Sequence, residues 1–190
     1  LGFNWAYRLV DSICFGVPQR RQRVVFIASK SLDPRQVLFA DTAKVEALDK
    51  NSVGQLACGF YWTEGLRGLG WAVDAVPPIK GGSTLGIPSP PAICHPNGLI
   101  GTPDIRDAER MQGFSEDWTK PSTTVQRESM RWKLVGNAVT VDVFSWVGAR
   151  LRAPDEKGSN ISGRPIKEGG RWPSAGWNTG EGRFGTDFSQ

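Results

Sequence analysis

The stretch of this chain best suited to chemistry on a ligand is GVPQRRQRVVFIAS, residues 16–29. It sets Gln19, Arg20, Arg21 and Arg23 between a Gly-Pro turn and the apolar run Val24, Val25, Phe26, Ile27. A guanidinium is a planar fork of donors that meets a phosphate bidentately, and an amide both donates and accepts. Held on a turn that a strand braces, these side chains can grip a nucleotide's phosphate and a base edge. A solvated basic loop ahead of a core strand accounts for the same residues. Other reactive side chains are sparse. Cys14, Cys58 and Cys94 show no CxxC or Cys/His spacing, which argues for reduced thiols and against zinc. His95, the single histidine, lies beside Pro96 in a loop and is given no role.

Short elements must position such residues. Tyr7, Leu9, Asp11 and Ile13 alternate loosely, as in a strand, and Val24–Ala28 has the length and apolarity of a buried one. A short helix is expected over 41–50. From 51 to about 97 the chain is rich in Gly, Pro, Ser and Trp, and Pro88, Pro90 and Pro91 disfavour a central strand. Thr102-Pro103-Asp104 starts a helix with Ile105, Ala108, Met111 and Gln112 on one face, and Gly113 stops it. Val139, Val143, Trp146 and Val147 form the stripe of a last helix, with Arg150 and Arg152 in its final turn. Residues 154–190 are polar and Gly-rich and read as a tail that is weakly ordered or packs on a partner.

Composition sets wide bounds. A chain of 190 residues forms one substantial domain or two small ones, and 23 Gly with 13 Pro favour a loop-rich fold. The net charge of +4 suits a polyanionic partner and many other soluble proteins alike. No apolar run reaches the length of a membrane span, and nothing at the start resembles a signal peptide.

GVPQRRQRV, DIRDAERMQGFSEDW and KLVGNAVTVDVFSWVGARL follow one another in this order, separated by a Gly/Pro-rich region. Together they resemble the C-terminal part of DNA (cytosine-5) methyltransferases. The last of them fits that family's closing signature at Lys133, Gly136-Asn137-Ala138, Val139, Val141, Val143 and Val147. The resemblance covers residues 1–152, and GRWPSAGW in the tail is similar to extensions on some members. It implies an α/β fold: the C-terminal portion of a Rossmann-like, S-adenosyl-L-methionine-dependent methyltransferase sheet, with a smaller irregular target-recognition domain. The implied divisions are last strands of the catalytic domain at 1–50, recognition domain at 51–120, closing loop and helix at 121–153, and an extension at 154–190. The implied setting is a microbial cytoplasm and restriction-modification or orphan DNA methylation on double-stranded DNA, with association to the nucleoid and with neither metal nor membrane.

By position, the resemblance gives Arg23 contact with the target base and the catalytic carboxylate. Gln19 and Arg20 would touch the DNA backbone beside a flipped nucleotide, and Arg21 would brace the loop while contributing to the same DNA-binding surface. A base drawn from the stack leaves exposed phosphates that cationic forks can hold. Lys80, Gly81, Gly82, Ser83 and Thr84 are further candidates for DNA contact, the glycines allowing close backbone approach; an ordinary surface turn explains them equally. Asn137, Ala138 and Val139 would lie near S-adenosyl-L-methionine at the start of the last helix, where free N–H groups meet polar ligands; Asn137 reads as well as a plain helix cap. Asp107, Glu109 and Arg110 are expected to be structural.

What the family uses for its first chemical step is missing. Attack on carbon 6 of cytosine needs a thiolate, which the family takes from a Pro-Cys pair. Here Cys14 follows Ile13, Cys58 follows Ala57 and Cys94 follows Ile93. The Glu-Asn-Val and Phe-x-Gly-x-Gly stretches are absent too. The chain by itself is therefore expected to be inactive and to need an N-terminal catalytic half, in the same polypeptide or as a separate subunit. The competing expectation is a catalytically inactive remnant that binds DNA or regulates a partner.

Overall fold

The structure, a computed structural model, describes residues 2–42, 54–61, 70–82 and 88–188. In chain order the strands are β1 (Asn4–Asp11), β2 (Gln22–Ser29), β3 (Cys58–Phe60), β4 (Ala72–Val73), β5 (Ala92–Cys94), β6 (Ile100–Gly101), β7 (Arg164–Pro165), β8 (Ala175–Asn178) and β9 (Phe184–Thr186). The α-helices are α1 (Arg35–Leu38), α2 (Ile105–Met111), α3 (Met130–Asn137) and α4 (Val141–Arg152). They fall into two units: Leu1–Cys14 with Gln22–Val45 and Phe144–Gln190, and Phe15–Arg21 with Glu46–Val143. The helix expected over 41–50 lies, beyond Thr42, outside the described residues.

In the first unit β1 and β2 pair antiparallel, with Tyr7 opposite Phe26 and Val10 opposite Arg23. The sheet runs β2-β1-β8-β9-β7, every pair antiparallel. Opposed residues share a face. Ala6, Val10, Val25 and Trp177 are buried, as are Val37, Leu38 and Phe39 from α1 and its end; the Phe39 and Trp177 rings meet edge-on at 5.6 Å.

Two expectations change here. The run from Val24 is not buried on both sides: Val24 is 62% and Phe26 60% exposed, because β2 is the outermost strand and one of its faces is largely uncovered. Nor is 154–190 a weakly ordered tail, since β8 pairs with β1 and carries β9 and β7. These strands are too short and glycine-rich for periodicity to register. Contact with β1 makes them: Gly176 lies where a Cβ would be 2.7 Å from the Tyr7 ring, and Trp172 packs on Trp5 and Tyr7. Asp41 ties α4 into the same unit, accepting from Trp146 Nε1 and Arg150 Nε, both at 2.7 Å. The Arg150 guanidinium above all holds the Asp41 carboxyl below the usual carboxylate range.

The second unit contains the antiparallel sheet β4-β3-β5-β6 and the helices α2 and α3. The N-cap of α2 is Asp104 rather than Thr102: its carboxylate accepts from Arg106 N, and Asp107 accepts from Asp104 N, a reciprocal capping box. Gly113, at φ +86°, ends the helix as expected. Ala108 packs with Ile79, Trp132 and Val135, flanked by Ile105 and Met111. Glu109 is fully buried, its Oε1 accepting from Thr119 N at 2.8 Å and Arg131 Nη2 at 3.1 Å. Arg131 also donates to Asp117. Asp107 and Arg110 pair, and Arg110 reaches Glu116, so all three charged residues singled out on this helix have structural partners. The expected last helix divides at the extended residue Ala138: α3 ends at Asn137 and α4 begins at Val141, which leaves Val139 outside the helix and half exposed.

Candidate functional site

Within the second unit the basic loop, the Lys80 segment and the GNAV segment meet at a buried polar frame. Gln19, at 0% exposure, is its first member. Its Nε2 donates to Met111 O and to Gln112 Oε1, both at 2.9 Å, and its Oε1 accepts from Ile79 N at 3.0 Å. Gln112, equally buried, accepts in addition from Thr140 Oγ1 at 3.1 Å and donates to Val135 O at 2.9 Å and Ala138 O at 3.3 Å. Arg21 is buried as well; its Nη2 donates to Gly136 O and Ala138 O. The loop backbone is tied on by Arg20 N to Val76 O at 2.9 Å and Val76 N to Pro18 O at 2.8 Å, a short parallel bridge.

Local sequence explains the frame. Pro18 fixes the backbone of the turn, and its carbonyl accepts from Val76 N while the backbone N–H of Gln19 donates to Val17 O. Gln112 stands at the C-terminus of α2, where its side chain can reach carbonyls that end α3. Two glycines bring α3 close: a Cβ on Gly136 would fall 2.3 Å from Gly81 N, and one on Gly81 would fall 3.1 Å from Lys133 Cα. The paired glycines of the Lys80 segment thus serve helix packing on the Gly81 side, while Gly82 adopts φ +85°, which favours glycine.

The structure places the sequence-derived candidates as follows. Gln19, a candidate for contact with the DNA backbone, is wholly buried with its amide fully engaged inside the unit. Arg21 is directed at two carbonyls of the GNAV segment. Arg20 is partly exposed, and its side chain makes no hydrogen bond or ion pair among the described residues. Lys80 is exposed, with Nζ 3.9 Å from the centre of the Tyr61 ring. Asn137 is exposed at the end of α3, not at the start of the last helix, and the first N–H of α4, on Val141, already donates to Gln112 O. Ser83 and Thr84 lie outside the described residues. In the first unit Arg23 is exposed on β2, its Nη1 donating to Gln22 O at 2.7 Å.

Each exposed polar side chain of the second unit's cluster is the immediate chain neighbour of a locked residue: Arg20 follows Gln19, Lys80 follows Ile79, and Asn137 lies between Gly136 and Ala138. Such a surface can present a cation, an ammonium and an amide from a rigid base. Asn137 at the end of α3 and Val139 beyond it are both exposed, on either side of the Ala138 carbonyl that Arg21 and Gln112 hold. Gln112 is the residue that reading the sequence missed. Its spacing sets it on the apolar face with Ile105, Ala108 and Met111, and an amide at such a position is the available signal.

No family model matches the chain. Over its whole length it is similar to a Type II methyltransferase, M2.BsuMI, of Bacillus subtilis (strain 168), with 49% identity over 197 residues. The chain spans 50% of the length of that relative. The likeness supports a methyltransferase.

Proposed function

We propose that this chain is the C-terminal part of a DNA (cytosine-5) methyltransferase, which grips double-stranded DNA and completes the cofactor site. It acts with an N-terminal half that supplies the attacking cysteine. The observation that carries this reading is the buried Gln19–Gln112–Arg21 frame, which ties together in one unit the three segments that resemble the family's motifs. Likeness to half of a Type II methyltransferase along the entire chain supports it as well. The β1–β2 hairpin, with β2 at the sheet edge, would continue a Rossmann-like sheet supplied by the other half.

In this reading Arg20, Lys80 and the backbone at Gly82 hold phosphates next to an extruded cytosine, Gln19 and Arg21 keep the loop rigid, and Arg23 faces the base. Cationic forks on a fixed loop lose little side-chain freedom on binding, which favours the strained, flipped nucleotide over a flexible lysine patch. Asn137 and Val139 would hold S-adenosyl-L-methionine, which when bound supplies the methyl group. The chain's own part is to orient cofactor and base and to neutralise phosphate charge.

The test is reconstitution with the matching N-terminal half of the relative's kind, following transfer of labelled methyl groups to duplex DNA. Transfer by the pair and by neither part alone is expected; its absence with both parts folded refutes the proposal, and DNA binding without transfer would favour the inactive binding module. Arg20→Ala should lower DNA affinity and reduce the slope of log affinity against log salt by about 0.9. Arg23→Ala should lower turnover more than affinity.

A further inference from the structure

Two of the three cysteines face one another in the second unit. Cys58 on β3 is the register partner of Cys94 on β5, and both are free thiols. Directly opposed residues of an antiparallel pair carry their side chains on the same face, with Cα atoms about 4.5 or 5.5 Å apart. Both spacings fall inside the range of about 4.4–6.8 Å over which a disulfide closes without moving the backbone. The same row continues to Val73 opposite Cys58 and Ile100 opposite Cys94, so apolar side chains flank the two sulfurs. Cys14 belongs to the other unit.

We infer that Cys58 and Cys94 are an oxidation site, a cross-strand dithiol that a low-molecular-weight disulfide converts into an intramolecular disulfide. The two thiols differ in access. Cys94 is partly exposed and Cys58 buried, and burial above all, with Cys94 and Asp74 adding to it, pushes the Cys58 thiol up. Cys94 therefore reacts first. Its thiolate attacks one sulfur of oxidised glutathione, the S–S bond breaks, and one glutathione thiolate leaves and takes up a proton. The Cys58 thiolate then attacks the Cys94 sulfur of the mixed disulfide and expels the second glutathione thiolate. Two protein thiols are oxidised, one glutathione disulfide is reduced, and the two protons end on the two glutathione thiols. The bond ties the ends of the segment between β3 and β5, which carries Lys80, Gly81 and Gly82. It requires nothing of the proposed methyltransferase reading, and its test is independent of DNA and of methyl transfer.

The experiment treats the full chain, folded and reduced, with oxidised glutathione, then alkylates the remaining thiols and maps the peptides. Expected are a loss of two hydrogens in intact mass, a linked Cys58–Cys94 peptide, and Cys14 recovered alkylated. Cys14→Ser should behave as the unaltered chain. Cys58→Ala should stop at a stable glutathione adduct on Cys94, and Cys94→Ser, which changes the more accessible position, should leave Cys58 alkylatable and no cross-link. A lasting adduct on Cys94 in the unaltered chain, a cross-link through Cys14, or an unchanged mass would each overturn the inference.

Discussion

Replacing Gln112 by Leu tests whether the buried amide frame organises the second unit. Leu keeps much of the volume and removes only the polar end. The substitution ends the bonds accepted from Gln19 Nε2 and Thr140 Oγ1 and the bond donated to Val135 O, at 2.9, 3.1 and 2.9 Å, along with the longer one to Ala138 O. Gln19 keeps its bond to Met111 O, the Val135 carbonyl keeps Ala138 N, and the Ala138 carbonyl keeps Arg21, so these three groups are not stripped of partners. At about 1 kcal/mol net for each of the three shorter bonds, the loss is about 3 kcal/mol, or roughly two orders of magnitude in the folded-to-unfolded ratio. Amide hydrogen exchange reads this locally. Ile79 N–H, which donates to Gln19 Oε1, should exchange about a hundredfold faster, in step with the global loss seen in urea titration. Arg110→Ala, which removes exposed ion pairs with Asp107 and Glu116, is the control and should cost less than about 1 kcal/mol. If Gln112→Leu costs no more than that control and leaves Ile79 protected, the frame does not hold the three segments together.

Gly136→Ala should destabilise by up to about 2 kcal/mol: overpacking against the backbone at Gly81 costs about 1–3 kcal/mol and the helix propensity of Ala returns about 1; a more stable protein by thermal melting would refute the close approach. Glu109→Gln should cost about 3 kcal/mol at neutral pH, because Arg131 loses a buried partner. Burial alone would raise the Glu109 carboxyl, but the bonds from Thr119 and Arg131 outweigh it and hold it below the ordinary range. Its contribution is therefore complete above the unfolded value of about 4.3 and fades as pH falls through the lower folded value, so the gap between variant and unaltered chain should narrow below about pH 4 in urea midpoints. A gap independent of pH would show that the carboxylate's charge plays no part.

Much of the local structure was legible. The presence of a strand at β1, the apolar run of β2, the Gly113 stop and the stripe of α4 all come from side-chain period and backbone preference, which act within a few residues, although burial along β1 does not alternate and Ile13 falls in the turn after it. The helix start at Asp104 was two residues from the expected Thr102 because both side chains are acceptors and only the reciprocal Asp104–Asp107 capping box decides between them. The strands β7 to β9 were not legible, since two- to four-residue strands containing Gly and Pro have no intrinsic signal and exist through pairing with β1. The division between α3 and α4 also escaped the sequence: Val139 fits the apolar stripe, but the bonds of Arg21 and Gln112 to the Ala138 carbonyl hold the chain extended at that point.

The sequence by itself determined which side chains are available: a run of guanidiniums after a Gly-Pro turn, paired glycines beside a lysine, an Asn among small residues, and no cysteine preceded by proline. Only the tertiary structure decided which of them turn inward. Gln19 and Arg21 differ little in type from the exposed Gln22 and the partly exposed Arg20. What separates them is that the folded chain brings Gln19 and Arg21 to the partly or fully buried carbonyls of Met111, Gly136 and Ala138, which need donors.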